Sequence, residues 1–141
     1  MKPHLVLDTN VILDLLVFKD PSTEPLRLLL DAQQVDAVRT PASMAELMDV
    51  IGRPTFKLSR EEQETIREAW ESSSRLLEDA AMERAPFTCR DPDDQVFINM
   101  AYSIRPALLL SKDLRVLELQ VIAQRHDVVI SQNYECVRHF F

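Results

Sequence analysis

The chain has one glycine, Gly52, in 141 residues. A phosphate-cradling loop needs several glycines so that the backbone can approach the phosphates, and a dinucleotide fingerprint needs them at fixed spacing. Neither can be present, which excludes ATP, GTP or NAD held by such loops. Cysteine is scarce as well. Cys89 and Cys136 match no zinc or redox spacing, and a soluble, reducing, cytoplasmic setting is the expectation. No apolar stretch approaches the length of a membrane span, and Met1-Lys2-Pro3-His4 opens no signal peptide, so no membrane partner is expected. Positive charge is in deficit, with 16 Lys and Arg against 23 Asp and Glu and a net charge of -7. That argues against broad attraction to nucleic acid. It leaves room for a phosphate substrate if a divalent cation neutralises a local acidic cluster.

What is present is an ordinary core-forming composition, 46% hydrophobic, and a length suited to one domain over residues 1–141. There is no repeat, linker or low-complexity stretch. Leu5-Val6-Leu7-Asp8 is an apolar run that stops on a carboxylate, then leads into an amphipathic segment. It reads as a buried strand over 4–8 and a helix over 10–18. A second helix follows the turn at Pro21 and ends near Gln34, with Leu26, Leu29 and Leu30 on its core face. A short strand is expected over 36–40. Thr40-Pro41 then opens a helix, Thr as cap and Pro at the first position, that Gly52 and Pro54 stop. Ser59 and Glu62 form a capping box. The helix behind it is expected to reach about Ala81, with Ile66, Trp70, Ser73, Leu77 and Ala80 on one face. Asp91-Pro92 opens another, with a stripe of Val96, Phe97, Met100 and Ala101. Ala107 to Ser111 is a buried strand. A helix over 114–124 is expected to face inward with Leu114, Leu117 and Val121. A last strand covers 128–130, and a short helix can follow before Phe141. Strands alternating with helices give an α/β domain around a parallel sheet.

In such sheets chemistry collects beyond the carboxyl ends of the strands. Asp8 stands at one such end. Asp113 stands just past another. Asp94 lies in a first helical turn, three residues before Phe97, near the inward face. Glu46 sits mid-helix beside Ala45, in line with Ala42 and Val50, on a face of small and apolar residues. Taken singly, Asp8 reads equally well as a helix cap, Glu46 as surface, Asp94 as a dipole partner and Asp113 as a turn residue. Together they are expected to converge. Unpaired, they would repel and raise one another's pKa values. A hard divalent cation, Mg²⁺ or Mn²⁺, removes that penalty, and no Cys or His cluster competes for it. His4, His126 and His139 have no ligand spacing. Ser111 has no His or Lys to activate it and is expected to hydrogen-bond near the acids.

Leu5-Val6-Leu7-Asp8-Thr9-Asn10-Val11, Ala45-Glu46-Leu47, Asp91-Pro92-Asp93-Asp94-Gln95 with Phe97-Ile98, and Ser111-Lys112-Asp113-Leu114 occur in the order found in PIN domains. The chain resembles the PIN-family toxins of bacterial toxin–antitoxin systems, related to VapC, from residue 6 to about 130. The resemblance implies a three-layer α/β/α sandwich with a mainly parallel sheet. It implies a metal-dependent endoribonuclease in which Asp8, Glu46, Asp94 and Asp113 are both catalytic and metal-binding, with Asn10 and Ser111 as polar neighbours. It further implies attack of a metal-activated water on RNA, products ending in 3′-hydroxyl and 5′-phosphate, neutralisation by an antitoxin protein, and a homodimer. Many relatives carry a third consecutive Asp where this chain has Gln95. Asp94 keeps the family's spacing to Phe97 and Ala101, and Asp93 is the alternative. Two other readings stay open. One is a PIN scaffold that binds antitoxin or RNA without cutting. The other is a haloacid-dehalogenase-type phosphatase, which usually needs an acid where Asn10 stands.

Overall fold

The computed structural model describes residues 2–139. Strand β1 (His4–Leu7) runs into helix α1 (Thr9–Leu16). A 3-10 turn at Pro21–Thr23 leads to α2 (Glu24–Asp31), then β2 (Asp36–Arg39) and α3 (Pro41–Ile51). Helix α4 (Arg60–Ser73) is followed by β3 (Arg75–Leu76). A 3-10 turn at Pro92–Asp94 opens α5 (Gln95–Ser103), and β4 (Ala107–Leu110) follows. Two short helices, α6 (Leu114–Leu117) and α7 (Gln120–Gln124), precede β5 (Val128–Ser131) and a 3-10 segment, Tyr134–His139.

The five strands pair in the order β3-β2-β1-β4-β5, every pair parallel. Successive side chains on a strand face opposite sides. Leu5, Leu7, Leu108 and Leu110 therefore join a core with α1, α2, α3 and Trp70 of α4. Val6, Val38 and Leu109 join the other, with Phe97, Ile98 and Met100 of α5 and Val116 and Ala123 beyond it. Helices cover both faces, so the architecture is a three-layer α/β/α sandwich. The two chain directions diverge from β1, with β2 on one side and β4 on the other. The crevice beyond their carboxyl ends is the topological switch point of the sheet. No helix among the described residues is long and apolar enough to cross a membrane.

The caps at Thr40 and Ser59 form as the sequence suggests, each reciprocal with its third helical residue. The helix from Ser59 is shorter than expected. It ends at Ser73, and Ser74 is extended at φ -134 and ψ 151. Two side chains end it by taking the last free carbonyls. Ser74 Oγ donates to the Trp70 carbonyl at 2.5 Å, and Arg39 Nη1 donates to those of Glu71 and Ser74. The chain then adds β3 to the edge of β2. Leu77 and Ala80 fall outside the helix, and only Ile66 and Trp70 hold its buried face.

The helix expected over 114–124 is also broken, near Leu119. Leu114 and Val121 face solvent at 77% and 68% exposure, while Val116, Leu117 and Ala123 turn inward. Gln120 Nε2 pins the second piece by donating to the Ile130 carbonyl at 3.0 Å. On α2, Leu26 and Leu30 are buried and Leu29 is half-buried. The expected tail helix is the 3-10 segment; its last two residues, Phe140 and Phe141, lie outside the described residues. Gly52 ends α3 at φ -78, so it supplies no left-handed turn. Lys19, Gln33, Lys57 and Asp127 take that conformation instead, φ 49 to 61, each at a cost of roughly 1–2 kcal/mol that glycine would avoid.

Candidate metal centre

The β1–β4 register sets the site. Leu7 pairs with Leu110, so Asp8 and Ser111 leave the sheet side by side. The Asp8 N–H extends the ladder to the Leu110 carbonyl at 3.1 Å. Asp8 caps α1: its Oδ1 accepts from the Val11 N–H at 3.0 Å, and its Oδ2 accepts from Ser111 Oγ. Only 2% of the residue is exposed. Burial pushes the Asp8 carboxyl up to about 6, against the pull of those two hydrogen bonds, with Asp113 and Glu46 adding to the rise.

Glu46 comes from α3 and is half-buried, turned toward Thr9 at the start of α1. Thr9 Oγ1 donates to its Oε2 at 2.9 Å. Burial raises its pKa, Thr9 opposes the rise, and Asp93 and Asp91 add to it. Asp94 sits where the 3-10 turn becomes α5. Its Oδ2 is buried without any hydrogen-bond partner. Burial and the neighbouring Asp113 push its carboxyl up to about 7. Asp113 caps α6 and accepts from the Arg115 N–H at 2.8 Å, from Nε at 3.2 Å and from Nη2 at 3.0 Å. That guanidinium holds the Asp113 carboxyl below its usual value.

These four acids border one cleft of ≈ 310 Å³, with Asn10, Asp91 and Asp93 on its rim and walls. Asn10 and Asp93 are exposed there. Asp93 and Asp94 both border the cleft, from the 3-10 turn that precedes α5. Asp94 is the more enclosed.

Sequence reasoning missed Asp91 as more than a cap. Its Oδ1 does accept from the Asp93 N–H at 3.0 Å. Its other oxygen lies 3.0 Å from Arg115 Nη2. One carboxylate oxygen each from Asp91, Asp94 and Asp113 fall within 4.8 Å of one another. Capping and ligation use the same carboxyl, so the motif hid one role behind the other. Thr9 was missed too, although it adjoins Asp8. Gln95 does not line the cleft. It accepts from the Cys89 N–H at 2.7 Å and donates to Asn99 Oδ1 at 3.0 Å and the Phe87 carbonyl at 3.3 Å, bracing the preceding loop.

The donor set is carboxylate oxygen throughout, with a hydroxyl behind it. Hard cations such as Mg²⁺ and Mn²⁺ take such ligands. The orphaned Asp94 oxygen fits this, since a buried polar atom without a partner is costly unless something binds it. Cys89 does not contribute: its sulfur faces the Arg115 carbonyl at 3.6 Å, and burial pushes the thiol pKa up.

The family model described as PIN domain matches residues 4–115, a span that holds every acid of the cleft. Among solved structures, the crystal structure of VapBC2 from Rickettsia felis, bound to a DNA fragment from its promoter, superposes with a TM-score of 0.62. The likeness covers 91% of this chain and 97% of that one at 13% identity, so it is a likeness of fold. No curated protein matches the chain.

Proposed function

The chain belongs to the PIN-domain family, and from that premise we propose that it is a metal-dependent endoribonuclease, the toxin of a toxin–antitoxin pair. The observation that carries the reading is the convergence of Asp8, Glu46, Asp94 and Asp113 on one cleft, with one buried oxygen left free. Asp8, Glu46, Asp94 and Asp113 would hold Mg²⁺ or Mn²⁺, with Asp91 beside them. When bound, such an ion lowers the pKa of a coordinated water and offsets charge on a phosphate.

The chain's own residues supply orientation. Val11 and Ser111 fix both oxygens of Asp8, and Thr9 fixes Glu46, so neither carboxylate must reorganise to receive a ligand. Without metal, burial and Asp113 push the Asp94 carboxyl up to about 7, and with a cation bound its proton would be drawn off and the carboxylate favoured. Arg53 lines the same cleft and is mostly exposed. It offers a positive group to an RNA backbone that the net charge of the chain would otherwise repel. An antitoxin protein belongs to this reading, in keeping with the likeness of fold to VapBC2, and a homodimer and a cytoplasmic setting are part of the same proposal.

A non-cutting PIN scaffold is the second reading, and one observation favours it: Arg115 already neutralises two of the carboxylates. Incubation of single-stranded RNA with the protein and Mn²⁺ separates the two. Cleavage that stops with EDTA supports the nuclease. Intact RNA at every Mn²⁺ concentration, with the protein folded, supports the scaffold.

A further inference from the structure

We propose that Arg115 is a tethered cation that holds the acidic cluster of the metal-free protein and competes with the divalent ion for Asp91 and Asp113. The inference rests on the reading of the cleft as a metal centre. One guanidinium bridges the two carboxylates: Nη2 lies 3.0 Å from Asp91 Oδ2 and 3.0 Å from Asp113 Oδ2, and Nε lies 3.2 Å from Asp113 Oδ1. These are two of the three acids whose oxygens gather within 4.8 Å. Repulsion among them is relieved in place by a charge from the same chain.

The contact is built to open. The Arg115 side chain is 46% exposed, whereas those of Asp91 and Asp113 are 21% and 15% exposed. A long, wet side chain can withdraw into water without leaving a charge buried. Its departure does not undo α6, because the cap is a separate bond from the Arg115 backbone N–H to Asp113 Oδ1. Arg115 makes no hydrogen bond to Asp94, whose Oδ2 stays free for an arriving ion. A divalent charge then outbids one guanidinium for the two shared carboxylates. Arg90, near enough to feel the charge of Arg115, is engaged by Glu118 at 2.5 Å and does not line the cleft.

The experiment is a Mn²⁺ titration of the full chain followed by calorimetry, with thermal unfolding before and after saturation. Arg115→Gln should bind Mn²⁺ roughly three- to tenfold tighter, the range expected when a bidentate surface pair no longer competes. Its metal-free unfolding temperature should fall, and the gap to wild type should close at saturating Mn²⁺. Arg115→Lys keeps the charge without the fork, so it should fall between the two. Arg90→Gln removes the same charge nearby and should bind as wild type does. The proposal is overturned if Arg115→Gln binds no tighter than wild type, or if Arg90→Gln tightens binding equally. The underlying metal reading fails separately, if wild type and all variants bind no Mn²⁺.

Discussion

Helix α1 carries two buried aspartates, and they live in opposite surroundings. Asp14 is 7% exposed and is met by a cation and a phenol: Lys112 Nζ at 2.7 Å and the Tyr134 hydroxyl at 2.7 Å, both on one oxygen. Asp8, 2% exposed, is met only by neutral donors, a backbone N–H and the Ser111 hydroxyl. Consecutive residues after β4 serve both, Ser111 for Asp8 and Lys112 for Asp14. A buried acid with its own cation is a structural joint, here one that ties the Tyr134–His139 segment to α1. A buried acid without one keeps a charge in reserve, and that reserve is what a divalent ion can use.

The hardest test of this contrast is an isosteric exchange at each. Asp8→Asn keeps the cap, since Asn caps as well as Asp, but removes the charge. Metal-dependent RNA cleavage should fall by at least about 100-fold, while metal-free unfolding temperature holds or rises. Asp14→Asn should do the reverse. It leaves Lys112 unpaired and should destabilise by about 1–3 kcal/mol, with cleavage kept below the lowered unfolding temperature. Equal loss of folding and activity in both variants breaks the contrast.

A second comparison, Asp94→Ala against Asp93→Ala, is read in cleavage assays at fixed Mn²⁺. The enclosed Asp94 should lose at least about tenfold and the exposed Asp93 less than about threefold. If Asp93→Ala is the dead variant, the acid that matters sits at the rim.

The third is pH. Asp8 and Asp94 have folded-state pKa values raised to about 6 and about 7. The folded protein therefore binds more protons than the unfolded chain between about pH 4 and 7, and stability falls as pH rises through that window. Thermal unfolding without metal should show the decline, Asp8→Asn should flatten it, and Mn²⁺ should offset it most at pH 7. A flat profile for wild type would remove the case for unpaired charge. The smallest effect is expected from Tyr134→Phe, which spares the Lys112–Asp14 pair. With Asp14 still paired to Lys112, the loss of this one hydrogen bond, about 0.5–1.5 kcal/mol, should lower the unfolding temperature by a few degrees and leave cleavage unchanged.

Much of this was legible in the sequence, for local reasons. Apolar runs ending in Asp8 and near Asp113 mark strand ends, and helical spacing marks Asp94 and Glu46 as facing inward. Asp91, by contrast, was hidden because its capping role already explained it. The break after Ser73 was hidden because the apolar spacing through Leu77 and Ala80 continues to look helical, while one of the two side chains that take the carbonyls at its end, Arg39, lies far back in the chain. Leu114 and Val121 share the spacing of Leu117, yet Leu114 stands exposed at the first position of α6 and Val121 falls beyond the break near Leu119, so only Leu117 of the three is buried. The Asp14–Lys112–Tyr134 joint spans 98 and 120 residues of sequence, where no periodicity can signal it.

The side-by-side exit of Asp8 and Ser111 from β1 and β4 also fixes when the cleft can exist. The two residues are 103 positions apart, and β1 lies between a partner made early and one made late. Such long-range parallel pairings close slowly, and not before the residues between them have been made. During synthesis the first aspartate emerges long before its serine and before Asp113. A growing chain that has not reached them lacks the hydroxyl that orients Asp8 and the acid across from it. For a protein proposed to cut RNA, the message being translated is the nearest substrate. The order of strands in the sheet withholds the assembled cleft until β4 and the residues just after it have been made.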